Sequence, residues 1–287
     1  MKFDREVHEA YQQANALAMR CQAKAVKNKL PTSPVALNTL IDNNEISCRQ
    51  DLGVIDIPTN LIAGVAEATE KSILYTKELL PVSTPHSEYA DAWRDIYLQY
   101  FRGGGVAGQI QCHEYLGKFY IIDGLKRASV VKFLKKPTIS AHVIRMMPNK
   151  TGARAVQLYY DFLFQFRLTG MYQLQFTQEG FFEKFQKALG KESGEKWTDD
   201  DRCRFFAVWC IVEDAFRKSY EECLHITAAD ALVVLLEKYS FEQIANMQSW
   251  ILPRVFQSFW KELYALSFPD VSVKADRFYS RKLLQTA

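Results

Sequence analysis

The sequence predicts an α+β fold, a small mixed sheet with interleaved helices followed by a region made of helices alone. Three observations carry that reading. Between residues 52 and 146, short β-branched or alternating apolar runs are bounded by Gly, Pro and polar residues, as strands are. Amphipathic stretches of helical period lie between those runs. From residue 151 onward the apolar residues recur only at helical spacing.

Taken in order, residues 5 to 28 read as a helix, with Ala10, Ala14, Leu17, Ala18, Cys21 and Ala25 on one face. "LPTSP" (30 to 34) stops it, and a short second helix is predicted over 35 to 43. Val54 to Ile57 reads as a strand, and residues 65 to 80 as helical in part. "SEYADAWRDIYLQYF" (87 to 101) is an amphipathic helix with Ser87 at its N-cap. "RGGGVAG" then reads as a flexible connector. Two short strands, 109 to 115 and 118 to 122, enclose Leu116-Gly117, the right length for a tight hairpin. A helix over 124 to 135 and a strand over 138 to 146 complete this part.

Helices are predicted over 151 to 168, 179 to 189, 198 to 223, 227 to 238, 240 to 246 and 248 to 265. Thr198-Asp199 and Thr227 are their clearest N-caps. The expected division is an N-terminal helical segment (1–50), a sheet domain (51–148) and a helical domain (149–287).

Composition narrows the function classes. Of 287 residues, 48% are hydrophobic and 24% charged, an ordinary globular balance. No apolar run approaches the roughly 20 residues that span a bilayer. The first 20 residues lack a signal-peptide core, so a cytoplasmic protein with no membrane partner is expected. The net charge of +3 is too small to announce nucleic-acid binding by itself. The six cysteines form no C-x-x-C pair, so no metal site is expected, and reduced, mostly buried thiols are the reading. "GGG" (103 to 105) is not a P-loop, because no Lys-Ser/Thr follows. His142 and His225 read as ordinary core or surface histidines. Over 240 to 260, Trp250, Ile251, Leu252 and Phe256 are too apolar for a DNA-reading helix and are assigned to the core.

One stretch carries chemistry: "FYIIDGLKRASVVKFLKK", residues 119 to 136. A strand ending in Asp-Gly and feeding directly into a helix leaves the first backbone N–H groups of that helix unpaired. Gly124, lacking a Cβ, lets a ligand approach the backbone. Lys126 supplies a point charge and Arg127 a planar fork for two phosphate oxygens. The predicted phosphate or nucleotide site is therefore Gly124, Lys126, Arg127 and Ser129. Ser129, Lys132 and Lys136 are placed on the wet face of this helix. Asp123 and Glu114 are the candidate catalytic carboxylates. Asp123 is alternatively a helix cap or a Mg²⁺ ligand. Lys132, Lys135, Lys136 and Arg145 form a modest basic cluster.

The run "GKFYIIDGLKRASVVKFLKKPTISAHVIRM" (117 to 146) resembles the core of the ParB/sulfiredoxin-like domain, whose hallmark is a hairpin strand, Gly-x-x-Arg opening a helix, then a strand. "IDIPTNLI" resembles that domain's first strand and turn. The resemblance covers roughly residues 52 to 146. The whole chain is similar to bacterial proteins that join a ParB-like domain to a helical extension. It implies a nucleoside di- or triphosphate, with Mg²⁺, held at Gly124-Leu125-Lys126-Arg127. Three roles follow: a regulatory or DNA-associated protein, a phosphotransferase or nucleotide hydrolase, or a DNA- or protein-binding module without nucleotide. Sulfiredoxins place a catalytic Cys between the Gly and the Arg, where this chain has Leu125 and Lys126, so sulfinic-acid reduction is not expected. The partition proteins read Gly-Glu-Arg-Arg, and the loss of that Glu favours binding over hydrolysis. "GVAEATEKS" (64 to 72) also lacks the Arg that relatives carry there.

Overall fold

A computed structural model describes residues 2–102, 108–219 and 224–268, with the side chains of residues 2–4 excepted. The connector at 103–107, the end of the predicted 198–223 helix and Cys223 lie outside the described residues. The chain divides into two compact units, Met1–Val156 and Gln157–Ala287. No helix among the described residues is long and apolar enough to cross a membrane.

The first unit is built on a six-stranded mixed sheet. Its strands are β1 (Val35–Ala36), β2 (Ile46–Pro58), β3 (Ile62–Val65), β4 (Ile110–Tyr115), β5 (Lys118–Asp123) and β6 (Thr138–Pro148). They lie in the order β1-β3-β5-β4-β6-β2. The β1–β3, β3–β5 and β4–β6 pairs are parallel, while β4–β5 and β2–β6 are antiparallel. Helices α1 (Lys2–Lys27), α2 (Glu88–Phe101) and α3 (Leu125–Phe133) share a core made by Tyr11, Ala14, Ala90, Trp93 and Val130. The N-terminal helix thus belongs to this unit rather than to a separate segment ending at residue 50.

Local chemistry explains the elements that were foreseen. Ser87 caps α2 by accepting from the Ala90 amide. Leu116 and Gly117 both have positive φ (49° and 73°), as a two-residue hairpin of the I′ class requires.

One predicted helix is absent, and a stretch read as helical in part holds only one helical turn. Residues 35–43 form β1 and then 3₁₀ turns, because Val35 pairs with Gly64 of β3. A Cβ on Gly64 would lie 2.0 Å from the Val35 carbonyl oxygen, so this approach needs glycine. Residues 65–80 hold the end of β3 and a single 3₁₀ turn, Ser72–Leu74. β2 is far longer than Val54 to Ile57, with a register shift between Asp51 and Val54.

The second unit is helical over its described residues: α4 (Arg154–Thr169, whose first turn spans the division), α5 (Phe181–Ala188), α6 (Asp199–Ser219), α7 (Ala228–Leu236), α8 (Phe241–Ala245), α9 (Leu252–Ser258) and α10 (Trp260–Ser267). The single helix predicted over 248–265 is two. Pro253 in the first turn of α9 has no N–H to continue a preceding helix, and the backbone breaks again at Phe259. Leu252 and Phe256 are fully buried as expected, but Trp250 is 63% exposed. Among the described residues, Cys48, Cys203 and Cys210 are exposed and only Cys112 is buried, so these thiols are not mostly interior.

Asp230 fixes the start of α7. Its fully buried carboxylate accepts from the amides of Thr177 and Thr227 at 2.9 Å each, and from their hydroxyls at 2.8 and 3.0 Å. Thr227 returns the contact through the Asp230 amide, which closes a capping box. Burial pushes the Asp230 carboxyl up, against the four donors. Asp230→Ala removes the acceptor for both amides and the Thr177 hydroxyl, while the Thr227 hydroxyl keeps the Gln175 carbonyl at 2.6 Å, and is expected to cost about 2–4 kcal/mol. Chemical denaturation followed through the tryptophans of this unit measures it, and a loss under about 0.5 kcal/mol contradicts the role.

Candidate functional site

β5 ends at Asp123, and Gly124 turns the chain into α3 with φ +92°. Only glycine fits there on two counts. The conformation is left-handed, and a Cβ would lie 2.6 Å from Cγ2 of the buried Ile110 on β4. No side chain caps α3, and its first turn holds no acid. Its leading N–H groups are therefore left for solvent or a ligand, and the dipole there is uncompensated.

The two cations of the first turn are held by different neighbours. The Lys126 ammonium lies 5.1 Å from the centre of the Tyr89 ring on α2, a cation–π contact. Burial, and next the neighbouring Tyr75, pushes the Tyr89 phenol well up, so that ring stays neutral. Arg127 donates from Nη1 to the Gln109 carbonyl at 3.1 Å. Its guanidinium also runs beside Gly108, where a Cβ would lie 3.4 Å from Nη2. Gly124, Lys126 and Arg127 thus gather at one helix start, with both side chains extended to either flank.

The other predicted residues behave differently. Ser129 is fully buried, and its hydroxyl accepts from Trp93 Nε1 at 3.0 Å. It is a core partner of Trp93 and not a phosphate ligand. Lys132 also leaves the wet face. It is half-buried and donates to the Ile62 carbonyl at 2.9 Å, and burial lowers its ammonium to about 8. The reason is shared: α3 is covered on two sides, by the sheet under Ala128 and Val131 and by α2 beside Val130 and Ser129. Of the three residues placed outside, only Lys136 is exposed.

Glu114, one of the two candidate catalytic carboxylates, does not face solvent. It is fully buried opposite Arg145 of β6, ion-paired through Arg145 Nε, and it accepts from the Gly117 amide at 2.8 Å. Its negative charge and burial together hold the Cys112 thiol up, at about 12, burial being the larger effect. The same ion pair removes Arg145 from the predicted basic cluster, leaving Lys135 and Lys136 at the surface. Asp123 is exposed at the end of β5, opposite Gln111, and does not cap α3. His142 pairs with Asp51 at 3.0 Å across β2 and β6.

Sequence reasoning missed Tyr89, because a helix residue 37 positions before Lys126 has no local signal linking the two. Gly108 and Gln109 were missed for the same reason. Among the described residues, no group of three His, Cys, Asp or Glu could hold a metal ion. Compared with known proteins, the chain matches no family model and no curated protein.

Proposed function

We propose that the first unit is a ParB/sulfiredoxin-like domain that binds a phosphate-bearing nucleotide at the start of α3, in a protein with a regulatory or DNA-associated role. The observation that carries this reading is the uncapped, acid-free first turn of α3, opened by a left-handed Gly124 and flanked by Lys126 and Arg127. The order β4, tight turn, β5, Gly-x-x-Arg, α3, β6 supports it, being the order of the resembled domain. Uncapped N–H groups between two flanking cations suit a phosphate oxygen cluster. Leu125 offers no acid or base to a bound phosphate.

Burial of Glu114 weakens the phosphotransferase or hydrolase alternative, which keeps Asp123 alone of its two candidate carboxylates at the surface. The binding module without nucleotide loses Lys132 and Arg145 from its basic patch.

A nucleoside di- or triphosphate with Mg²⁺ is expected to raise the melting temperature of the full chain. At one hundred times its dissociation constant the ligand adds about 2.7 kcal/mol to the unit that binds it. Arg127→Ala is expected to abolish the rise while the unliganded melting temperature falls by only a few degrees, since the half-buried side chain makes one hydrogen bond, to the Gln109 carbonyl. Equal stabilisation of the parent and Arg127→Ala proteins contradicts the assignment.

A further inference from the structure

We propose that the helical unit carries a second binding site, for a small organic cation with an aromatic or apolar body. The site is a cavity of about 460 Å³ between α4, the end of α5 and the loop that follows it. That volume lies within the ~300–1,000 Å³ of small-molecule pockets.

The lining selects the ligand class. Phe164 of α4 and Phe182 of α5 supply aromatic wall. Phe164 is 58% exposed, an apolar ring left for something to cover. Glu183 and Glu192 also line the cavity, and neither carboxylate has a hydrogen-bond or ion-pair partner among the described residues. Aromatic faces with nearby carboxylates are the recognition chemistry of organic ammonium groups.

The backbone adds the same sign. The cavity sits on the last turn of α5, where the helix dipole is negative and cations are favoured. The positive charges on the lining do not cancel this. Lys191 is already engaged at 2.7 Å by both Glu195 and Asp201. Lys187 stands one turn from Glu183 without forming an ion pair among the described residues, as an exposed competitor for the position. An anionic ligand would meet two carboxylates and the carbonyl end of a helix.

Isothermal titration of the full chain with phenyltrimethylammonium, and separately with benzoate, tests this. The cation is expected to bind and benzoate to give no heat over the same concentrations. Phe164→Ala and the double variant Glu183→Gln with Glu192→Gln are each expected to weaken the cation at least five-fold. Lys187→Gln is expected to tighten it. All four side chains are exposed, so the variants leave the core intact. The proposal is overturned if neither probe binds, if benzoate binds as well as the cation, or if cation affinity is unchanged in both Phe164→Ala and the double variant.

Discussion

Replacing Glu114 with Ala is expected to destabilise the first unit by about 3–5 kcal/mol, the loss seen when one partner of a buried ion pair is removed. Arg145 would be left charged and 7% exposed in the sheet, without the carboxylate opposite it. The Gly117 amide in the β4–β5 turn would lose its acceptor at the same time. Because the protein has two units, one global transition does not report this change cleanly. Hydrogen exchange of the β4 and β5 amides does, and their protection should fall by that amount. Glu114→Leu combined with Arg145→Met should recover most of the loss, since an apolar pair of similar volume replaces both charges. A single-variant effect below about 0.5 kcal/mol would contradict the pairing.

Gly124→Ala should cost about 2–5 kcal/mol. The left-handed backbone contributes about 1–2 kcal/mol, and the overlap with Ile110 about 1–3 kcal/mol more. Gly53→Ala is the matched control: its φ is +67°, but a Cβ there meets nothing within 4 Å. The difference between the two variants, measured by hydrogen exchange of the β4 and β5 amides, isolates the steric part. Equal losses at both positions would mean that Gly124 serves only the turn and not the close approach of α3 to β4.

Much of the local architecture was legible because it rests on local chemistry. Ser87, Thr227, the Leu116-Gly117 turn and the Asp-Gly junction each act within four residues of themselves, and all stand where the pattern put them. What failed depended on distant partners. β1 exists because Gly64 accepts Val35 beside it. Ser129 turns inward because Trp93, 36 residues earlier, needs an acceptor. Glu114 is buried because Arg145 arrives on a neighbouring strand. Ser129, Lys132 and Glu114 are polar, and each is held by a specific hydrogen-bond partner that helical or strand period cannot reveal.

The candidate site divides along the same line. Gly124, Lys126 and Arg127 are adjacent in sequence and meet at the start of α3, so their proximity was readable directly. The Tyr89 ring under Lys126 and the Gln109 carbonyl under Arg127 come from other elements and were not.

Titrating the isotopically labelled full chain with ADP and with inorganic phosphate, and following backbone amide shifts, tests the central claim most directly. The amides of Leu125, Lys126 and Arg127 should move first and saturate together, and Arg127→Ala should remove the response. Saturable shifts confined to other residues, or none at the start of α3 with either probe, would contradict a phosphate site there.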